Sequence, residues 1–579
     1  MLKTFLQENQ IIVPSYQHYG GLSGFQDYGI IGFKIKNKLI NVWRKNFLTE
    51  EIHEVEIPTI MPYAILKASG HVDRFTDYVV YDKNNLCHRA DHLAKKWFND
   101  HKMPEMANMV DSWNQDTLES KINEYKMVDM ITNNNNNHYV KVHKKNLMIE
   151  VPSNTLVLDA DPDFLRPELA QGIFVNFKSY QNYFQGEDAG FKSFGIAQIG
   201  KSYRKEISPQ PFIRMREFTQ AEIEYFVDPI NKSHFDYDKY KDVIVPLLTD
   251  EMQEKGIDIA ININIKSAIS QNLISHKLMA YFLAKIYLFA NEIGLKTDKI
   301  RFRQHQKNEM AHYASQCWDL ECLVSGSWLE CVGCADRGCY DLTAHGELSA
   351  KRKFIEPKKI KKIIIKPNVS QIKNSYSNSN EIKTYFRDLD QNSAIIFTDL
   401  MKNCELNFTW TINNTDYVFT KLMFDIEEKN VMLTHESFIP HIIEPSFGID
   451  RLLYAVLEQN IWQREINERR YVLSLPKCLS VYNVAVFPLH KKEEMSEIAD
   501  EIRAKMVQHG YKCYIDDSGV AIGKRYVRCD EIGVEYVITI DPGSIKTGMV
   551  TIRYRDSMEQ IMVHTSEIVN WFIKLMQKN

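Results

Sequence analysis

The amino-acid sequence predicts an α+β fold that is interrupted by inserted modules and ends in a separate α/β domain. Two apolar strands flank a proline-containing loop between residues 197 and 224, which predicts an antiparallel hairpin. From Tyr482 onward, predicted strands alternate with helices, which is typical of an α/β domain with a mixed, largely parallel sheet. Residues 100–150 and 350–435 differ in composition from their surroundings and are predicted to be insertions.

The composition is that of a folded globular protein. Of the 579 residues, 44% are hydrophobic and 25% are charged, which excludes a fibrous or wholly disordered chain. The net charge of −4 argues against a globally cationic protein that coats nucleic acid, although a local basic patch is compatible with it. No apolar run reaches the roughly 18 residues that a membrane helix needs. Because the first residues lack the apolar core of a secretory signal, we expect a cytoplasmic protein with reduced cysteines.

The N-terminal part predicts a helix followed by a strand. Apolar residues recur at helical spacing from Ile30 to Leu48, and residues from Ile52 to Pro62 alternate like a strand. Within the first insertion, Met103–Met130 has the pattern of a charged amphipathic helix. The five asparagines at 133–137 cannot pack a core and predict a surface loop.

The middle of the chain is predicted to be mostly helical between residues 228 and 300, with a helical insertion at about 228–275. The second insertion begins with Lys351–Lys366, which holds eight basic residues and one acidic residue. Such a run is more often a solvated face than a binding site. The rest of this insertion predicts a module with short strands.

The densest chemical pattern lies in the hairpin between residues 197 and 224. Residues two apart on a strand share one face, so Arg204 and Glu206 point the same way, as do Phe218 and Glu222. A guanidinium, carboxylates and an aromatic ring on one face suit a nucleotide, through its phosphate, its exocyclic amine and its base. A salt-bridged surface hairpin is the alternative, and the spacing alone leaves both open.

Several segments resemble class II aminoacyl-tRNA synthetases. The hairpin at 197–224 resembles motif 2, Ile443–Arg451 resembles motif 3, and the helix near Leu39–Leu48 with the strand to Pro62 resembles motif 1, the dimer element. Within this class the chain is similar, over nearly its whole length, to the glycyl-tRNA synthetases of the eukaryotic and archaeal dimeric type. The stretches that carry this similarity are Ser69–Phe75, Arg89–His92, Phe164–Phe174, Arg301–His305, Asn308–Tyr313 and Val332–Arg337.

The resemblance implies an antiparallel catalytic sheet flanked by helices, with a C-terminal anticodon-binding domain. The implied boundaries are a catalytic domain at 1–99, 151–349 and 436–479, insertions at 100–150 and 350–435, and the anticodon-binding domain at 480–579. It further implies a homodimer that uses ATP and Mg²⁺ to form glycyl-adenylate and then transfers glycine to the 3′ end of tRNA(Gly). Synthesis of diadenosine tetraphosphate is an implied side activity.

The resemblance also assigns site residues. Three are implied to be catalytic, namely Arg204, Glu206 and Arg451. The residues implied to bind ATP are Arg204, Lys205, Glu206, Arg214, Met215, Phe218, Glu330, Cys331 and Arg451. Glu330 is implied to hold the metal through ATP, and carboxylate and phosphate oxygens are the ligands that Mg²⁺ prefers. At position 450, Asp450 stands where close relatives often carry glycine.

Glycine offers no side chain to grip, so its ammonium group is the feature that a protein can bind. The residues implied to bind glycine are Glu168, Glu222, Glu444, Pro445 and Ser446. Several carboxylates around one ammonium are electrostatically coherent, because each would otherwise be a desolvated anion.

In the C-terminal domain, the residues implied to bind tRNA are Lys524, Arg525 and Arg528, whose charges suit phosphates. The alternative is a solvated helix start. For Lys351–Lys366, contact with the acceptor stem of tRNA is the alternative to a solvated face.

Two other functions within reach of the resemblance are a different specificity, such as that for proline or threonine, and a catalytically silent RNA-binding protein. Glu168 and the run Glu444–Ser446 argue against the first. The retained Arg204, Glu206 and Arg451 argue against the second.

The cysteines between 317 and 339 include one Cys-x-x-Cys pair, Cys331 and Cys334. Structural zinc usually takes two such pairs or added histidines. We therefore expect buried free thiols and no zinc.

Overall fold

A computed structural model describes most of the chain. The described residues are 2–82, 86–127, 140–152, 161–185, 190–307, 309–310, 314–465, 470–516 and 518–577. The predicted asparagine loop at 133–137 and much of Asn308–Tyr313 lie outside them. The chain forms two compact units, of which the smaller consists of Gln185–Phe191 and Ser349–Phe438 and the larger of the rest. Among the described residues, no helix combines the length and the apolar character needed to cross a membrane.

The larger unit contains a nine-stranded sheet. In chain order its strands are β1 (Ile52–Glu54), β2 (Phe194–Tyr203), β3 (Glu217–Val227), β4 (Ile244–Leu248), β5 (Ile261–Asn264), β6 (Ile300–Gln304), β7 (Gln316–Val324), β8 (Ser327–Gly338) and β9 (His441–Gly448). They lie in the order β5-β4-β6-β7-β8-β9-β3-β2-β1. Strand β1 is parallel to β2 and β4 is parallel to β6, whereas all other neighbours are antiparallel. The structure thus confirms the predicted class of fold.

Three helices pack against this sheet: α1 (Ile30–Phe47), α2 (Lys277–Glu292) and α3 (Ile449–Asn460). Their apolar faces meet at an aromatic cluster, in which the ring of Phe447 on β9 lies 4.8 Å from that of Phe47 and 5.7 Å from that of Trp43. Phe289 of α2 also contacts Phe47, with 5.5 Å between ring centroids. Buried aromatic residues carry large apolar areas, so this cluster fixes the helices on one side of β9.

The segment at 228–275 departs from the predicted helical insertion. It contains β4 and β5, which pair with each other and extend the sheet through β6. The sequence from Ile257 to Ile265 places isoleucine at every second position, and this period of two with β-branched residues is typical of a strand. Only the short helices Tyr237–Tyr240, Asp250–Glu254 and Ile265–Ser270 agree with the prediction.

Two other predicted elements are broken in the structure. The strand expected from Ile52 to Pro62 is two short strands, Ile52–Glu54 and Ile60–Met61, with Pro58 between them. The helix expected at Met103–Met130 is two helices, Pro104–Met109 and Gln115–Glu124. The second begins where the side chain of Asn114 accepts a hydrogen bond from the N–H of Thr117, at 2.9 Å. This is a favourable N-cap, so it starts a new helix.

The remaining elements outside the smaller unit are short. The other helices are Leu2–Glu8, Tyr63–Ala68, His71–Arg74, Ala90–Asp100, Ala170–Val175, Phe177–Gln185 and Tyr340–Ala344. The small sheets pair Ile12–Pro14 with Gln26–Tyr28, Ile461–Gln463 with Tyr471–Leu473, Asp163–Leu165 with both Ile60–Met61 and Ile149–Val151, and Thr76–Tyr81 with both Cys87–Arg89 and His143–Asn146.

The smaller unit has long strands where short ones were expected. Ala350–Pro367 pairs antiparallel with Phe424–Phe438, and Asn407–Ile412 pairs with Thr415–Thr420. Its helices are Val369–Lys373, Ser379–Asp388 and Gln391–Asn403. The β-branched isoleucines at 360 and 363–365 lie among the lysines of residues 358–366 and favour a strand in this strongly basic segment.

The C-terminal part contains a five-stranded sheet. Its strands are β10 (Val484–Pro488), β11 (Cys513–Tyr514), β12 (Tyr536–Ile540), β13 (Met549–Tyr554) and β14 (Gln560–His564), in the order β11-β10-β12-β13-β14. Its helices are α4 (Glu493–Gln508), α5 (Ile522–Glu531), Pro542–Thr547 and Ile568–Gln577. Strands β10, β11 and β12 are parallel, but β13 and β14 are antiparallel. The sheet is therefore half parallel rather than largely parallel, because β13 and β14 form a hairpin.

Asp530, at the end of α5, ties the C-terminal sheet to the preceding chain. Its carboxylate accepts two hydrogen bonds from Arg553 of β13, at 2.8 and 2.9 Å, and one from Arg464, at 3.0 Å. All three side chains are at most 6% exposed. Two buried guanidinium groups thus depend on one carboxylate.

We predict that Asp530→Ala lowers the free energy of unfolding by about 3–5 kcal/mol, because it leaves buried arginine charges without their partner. Urea unfolding followed by circular dichroism measures this. Asp388→Ala is the control, since Asp388 pairs with Arg387 on the exposed surface and its loss should change little. Equal effects of the two substitutions would contradict the role assigned to Asp530.

Candidate active site

A cavity of about 220 Å³ lies beside β3, β9 and β8. Strand β9 is the middle of these three, and Ser446 faces Glu222 of β3 on one side and Gly333 of β8 on the other. Residues two apart on a strand share a face, so Gln220 shares the face of Glu222, and Glu444 and Gly448 share the face of Ser446. All five of these residues line the cavity, whereas Gly333 does not.

Arg204 lies at one end of the cavity between two aromatic rings. Its guanidinium carbon is 5.3 Å from the ring centroid of Phe218 and 5.3 Å from that of Phe75. Its Nε donates to the carbonyl of Pro167 at 3.2 Å. The rings and this hydrogen bond hold the cation in place, which suits a group that must meet an anion in a fixed geometry.

Glu206 is buried beside a second arginine. Its Oε2 lies 4.0 Å from Nε of Arg214, whose Nη1 is 3.3 Å from Nε2 of His92. Burial raises the pKa of Glu206 above its usual value, and the charges of Arg214 and Arg204 oppose that rise. The carboxylate therefore lies in a cationic surrounding that can also receive a nucleotide.

Glu330 faces the cavity because β8 carries a bulge. The pairing of β7 with β8 joins Leu320 to Val332 but Glu321 to Glu330, so Cys331 has no opposite residue. A bulge of this kind changes which side chain faces a site. The side chain of Glu330 is 56% exposed, and its carboxylate is available to a ligand.

Arg451, the first-turn arginine of α3, is held at the same place. Its Nε donates to the carbonyl of Ile213 and its Nη1 to the carbonyl of Glu330, each at 2.9 Å. Nη1 also lies 3.6 Å from Oε2 of Glu330. A cation and an anion thus stand together at the open side of the cavity.

Glu222 is the most constrained carboxylate of the cavity. Its Oε2 accepts the N–H of Leu169 at 2.8 Å, and its Oε1 accepts the hydroxyl of Ser446 at 2.9 Å. Burial raises its pKa to about 8, with further contributions from the charges of Glu444 and Glu168. A carboxyl of this kind gains by meeting a cation.

Glu168 is held as an anion on the adjacent wall. Burial opposes its ionisation, but His71, Arg337 and Gln171 together hold its pKa well below the usual value. Nε2 of His71 lies 3.3 Å from its Oε2, and Nε2 of Gln171 donates to its Oε1 at 2.9 Å.

Arg337 of β8 neutralises part of this acidic surface. Its Nη1 donates to Glu444 at 2.8 Å, and its Nε and Nη2 donate to Asp341 at 2.8 and 2.9 Å. Burial nevertheless raises the pKa of Glu444 above its usual value, in spite of the charge of Arg337. The cavity therefore keeps an excess of carboxyl groups over cations at this end.

A buried ion pair connects the three motif elements at the wall of the cavity, whose lining includes Thr219 and Asp450. Nζ of Lys36 on α1 lies 2.5 Å from Oδ1 of Asp450 at the start of α3, and it donates to the hydroxyl of Thr219 on β3 at 2.7 Å. Asp450 also accepts from the Tyr28 hydroxyl and the Thr219 N–H, each at 2.6 Å. The buried negative charge of Asp450 thus has three donors.

Most of the predicted residues meet at the cavity. Those that line it are Glu168, Arg204, Glu206, Arg214, Met215, Phe218, Glu222, Glu330, Cys331, Glu444, Ser446 and Arg451. Lys205 and Pro445 are not part of its lining. The side chain of Lys205 is exposed, and Pro445 is buried within β9, where alternation turns it away from the face of Glu444 and Ser446.

In the C-terminal part, Arg525 is not placed as a phosphate contact. It is 3% exposed, and its guanidinium donates to the carbonyls of Pro488, Leu489 and Asp516. Its position on the inner face of α5 makes it a structural residue. The side chains of Lys524 and Arg528 are exposed, and Arg528 donates to Asp516 at 2.9 Å.

Sequence reasoning missed Arg337 and Glu224 as residues of the site. Arg337 ends one of the stretches that carry the family resemblance, but only the structure shows its bonds to Glu444 and Asp341. Glu224 follows Glu222 by two positions, so strand alternation could have placed it on the same face.

Two groups of side chains within the described residues bring three possible metal ligands within 4.8 Å of one another. These are His305 with Cys317 and Asp319, and Glu222 with Glu224 and Glu444. The Cys-x-x-Cys pair is in neither group, and Sγ of Cys334 instead contacts the sulfur of Met279 at 3.4 Å.

Comparison with known proteins agrees with this architecture. Over the full chain, the fold is similar to that of prolyl-tRNA synthetase from Cryptosporidium parvum, solved with L-proline and AMP, with a TM-score of 0.53, 12% identity and 75% of that chain covered. A family model described as an anticodon binding domain matches residues 483–575. The fold is therefore that of a class II aminoacyl-tRNA synthetase.

Sequence similarity identifies the family within this class of proteins. The chain is 39% identical to the glycine–tRNA ligase of Methanocaldococcus jannaschii, over 96% of this chain and 95% of that protein. It is 35% identical to glycine–tRNA ligase 2 of Saccharomyces cerevisiae, over 99% of this chain and 95% of that protein. The chain belongs to the glycine–tRNA ligase family.

We predict that Asp450→Asn lowers the free energy of unfolding by about 3–5 kcal/mol, because it leaves the buried Lys36 cation unpaired. The asparagine keeps one of the two acceptor oxygens, so the change removes the charge together with the acceptor for either Tyr28 or Thr219. The double variant Lys36→Met with Asp450→Asn should be less destabilised than the sum of the single variants. Urea unfolding of all four proteins measures this cycle, and additive effects would contradict the assigned pairing.

Proposed function

We propose that this chain is a glycine–tRNA ligase that uses ATP to form glycyl-adenylate and then transfers glycine to the 3′ end of tRNA(Gly). The observation that carries this proposal is the cavity itself. Cationic groups and an aromatic ring occupy one end, and the buried carboxyls of Glu168, Glu222 and Glu444 occupy the other. An ATP site that continues into an ammonium site is what amino-acid activation requires. The identity to glycine–tRNA ligases supports glycine as the amino acid.

In the first step, a carboxylate oxygen of glycine attacks the α-phosphorus of ATP, and the bond to the pyrophosphate oxygen breaks. Negative charge develops on the phosphate oxygens, where fixed cations stabilise it. We assign Arg204 to the α-phosphate, and Arg214 and Arg451 to the outer phosphates. Phe218 lies where its ring can stack on adenine, and Glu206 can accept a hydrogen bond from the adenine amine.

Glu330 is the residue that we assign to Mg²⁺, which it would hold together with ATP. Its half-exposed carboxylate stands at the open side of the cavity, 3.6 Å from Arg451, and carboxylate plus phosphate oxygens match the preference of this ion. When bound, Mg²⁺ neutralises charge on the phosphates. Arg451 would orient the polyphosphate directly, and the neighbouring Glu330 would orient it through Mg²⁺. We propose no zinc for this enzyme.

Glycine is held through its ammonium group. Glu222 is already oriented by Leu169 and Ser446, and Glu168 is an anion, so both present oxygens in fixed directions. The ordered carboxylates pay no reorganisation cost when the substrate arrives. Recognition of an ammonium group by charge leaves the side-chain direction free of contacts that would favour a larger amino acid.

The second step, the transfer of glycine, requires that the protein bind tRNA. We propose that residues 480–579 bind the anticodon arm and that Lys524 and Arg528, whose side chains are exposed, contact phosphates. Arg525 is left out of this set because it is buried. Separate contacts on one tRNA raise the effective concentration of each, so a distant domain can deliver the acceptor end to the cavity.

We also propose a homodimer in the cytoplasm. Exposed apolar side chains lie close in sequence to motif 1, with Ile30 67%, Phe33 58% and Tyr19 88% exposed. A second copy of the chain would bury them.

Formation of diadenosine tetraphosphate, in which a second ATP attacks the adenylate, is a side activity that the same site can support. The domain boundaries given by the sequence remain part of this proposal.

The test of the function is ATP–pyrophosphate exchange with each of the twenty amino acids. Exchange that depends on glycine alone is the expected result. Exchange with proline or threonine would indicate another specificity of the class, and no exchange at all would indicate a catalytically silent protein.

We predict that Arg204→Ala lowers the rate of glycine-dependent exchange by about 10²–10³, because one group that stabilises transition-state charge is lost. Lys205→Ala is the matched control, since this neighbouring cation lies outside the cavity lining and should leave the rate within about threefold, well short of one such loss. A thermal melt checks that both variants fold. Exchange by Arg204→Ala at a near wild-type rate would remove Arg204 from the ATP site.

Glycine binding is predicted to release protons below pH 8. Burial raises the pKa of Glu222 to about 8 in the empty site, and a bound ammonium favours the anion, so the proton leaves as glycine binds. Glycine affinity should therefore rise as the pH increases toward 8 and then level off. Calorimetry at pH 7 in two buffers of different ionisation enthalpy counts the protons.

Glu222→Gln should abolish this proton release and raise the KM for glycine more than the KM for ATP. Glu206→Gln provides the comparison, because its effect should fall on ATP. Unchanged proton release in Glu222→Gln would assign the titration to another group.

A further inference from the structure

Glu224 lies below the floor of the glycine end of the cavity. It follows Glu222 by two residues on β3, and the register of β3 with β9 places it opposite Glu444. It is fully buried and is not part of the cavity lining. It therefore cannot touch a substrate, and any effect on the site must pass through its two carboxyl neighbours.

No hydrogen-bond donor within the described part of the chain reaches either oxygen of Glu224. One of its carboxyl oxygens instead lies within 4.8 Å of one carboxyl oxygen of Glu222 and one of Glu444. An anion here would be buried without a partner beside two other acidic groups, which is among the most costly arrangements in a protein. A neutral carboxylic acid has one O–H to donate, and an oxygen of a neighbouring carboxyl group can accept it.

We propose that Glu224 is a positioning residue of the glycine site, a neutral carboxylic acid that donates its O–H to Glu444 or Glu222 and holds that carboxylate for the glycine ammonium. The inference rests on the proposed glycine-activating function. It assigns to Glu224 a part that differs from that of the three carboxyls at the cavity surface, which meet the ammonium directly.

The electrostatic surroundings support the neutral form. Burial raises the pKa of Glu224 well above its usual value, and the charge of Glu444 raises it further. Arg337 from β8 opposes this rise, while Glu222 on the same strand and Asp341 from the neighbouring helix add to it. Three of the four charged groups that face it thus favour the acid.

The donated hydrogen has a structural consequence. Glu444 also accepts from Arg337 at 2.8 Å, so a second donor on its other side would fix the plane of its carboxylate. The two carboxyls would then attract each other through the shared hydrogen instead of repelling as anions. The empty site can in this way keep its acidic groups close together before a cation arrives.

The test compares Glu224→Gln with Glu224→Leu in glycine-dependent pyrophosphate exchange. Glutamine has the same shape and donates N–H to the same acceptors, so the KM for glycine should stay within threefold of wild type. Leucine fills the space without a donor, so this KM should rise at least tenfold while the KM for ATP stays within threefold. A purely structural role of Glu224 would not raise the KM for glycine while leaving the KM for ATP unchanged.

Two results would overturn the proposal. A KM for glycine within threefold of wild type in Glu224→Leu would show that the residue only fills space. A tenfold rise in Glu224→Gln would show that a charge at this position is needed. Absence of glycine-dependent exchange in the wild-type enzyme would contradict the proposed function itself, and it is distinguishable because it does not involve the variants.

Infrared spectroscopy tests the protonation directly and needs only the near-isosteric variant. The difference spectrum of wild type and Glu224→Gln at pH 7 should contain the carbonyl-stretch band of a protonated carboxyl. A difference that shows only carboxylate bands would overturn the proposal, whether or not Glu224→Leu folds.

Discussion

The position of β9 between β8 and β3 is the constraint on which the site depends. This one strand carries Glu444 and Ser446 into the cavity on one face and Phe447 into the aromatic core on the other. A shift of one residue would exchange the two faces, because side chains alternate along a strand. The large buried rings of the core therefore fix the register of β9, and this register places Glu444 and Ser446 at the cavity.

The second feature of the site is an excess of buried carboxyl groups. Arg337 balances Glu444 and Asp341, and His71 faces Glu168, but within the described residues Glu222 and Glu224 form no ion pair. The fold tolerates this because neutral acids and N–H or O–H donors take the place of counter-ions. The unbalanced charge is available to a small cation. The same unbalanced charge thus makes the acids costly to bury and enables them to bind a cation.

A single carboxylate, that of Asp450, joins the three motif elements. Asp450 brings together Lys36 from α1, Thr219 from β3 and Tyr28 from the N-terminal strand pair. Arg451 follows directly in the chain, so the position of this cation is coupled to α1 and to the hairpin. Asp450 is a buried anion, and the lysine that compensates it lies 414 residues away.

The sequence by itself determined the local part of this protein. Alternation along β3 placed Phe218 and Glu222 on one face, because a period of two is a property of the strand alone. Arg204 and Glu206 also line the cavity, but β2 ends at Tyr203, so strand alternation does not explain their positions. Strand alternation also contained the information for β5, which the helical prediction overlooked, and for Glu224. Family resemblance supplied Glu330 and Arg451, which no local pattern marks as functional.

Only the tertiary structure decided which charged residues are buried and what they face. Arg525 and Lys524 are neighbours in one basic cluster, yet one is buried against backbone carbonyls and the other is exposed. The pairing of Arg337 with Glu444, and of Lys36 with Asp450, likewise joins residues far apart in the chain. The energy of a charge depends on the dielectric and the partners around it, and both are set by segments that the sequence pattern does not bring together.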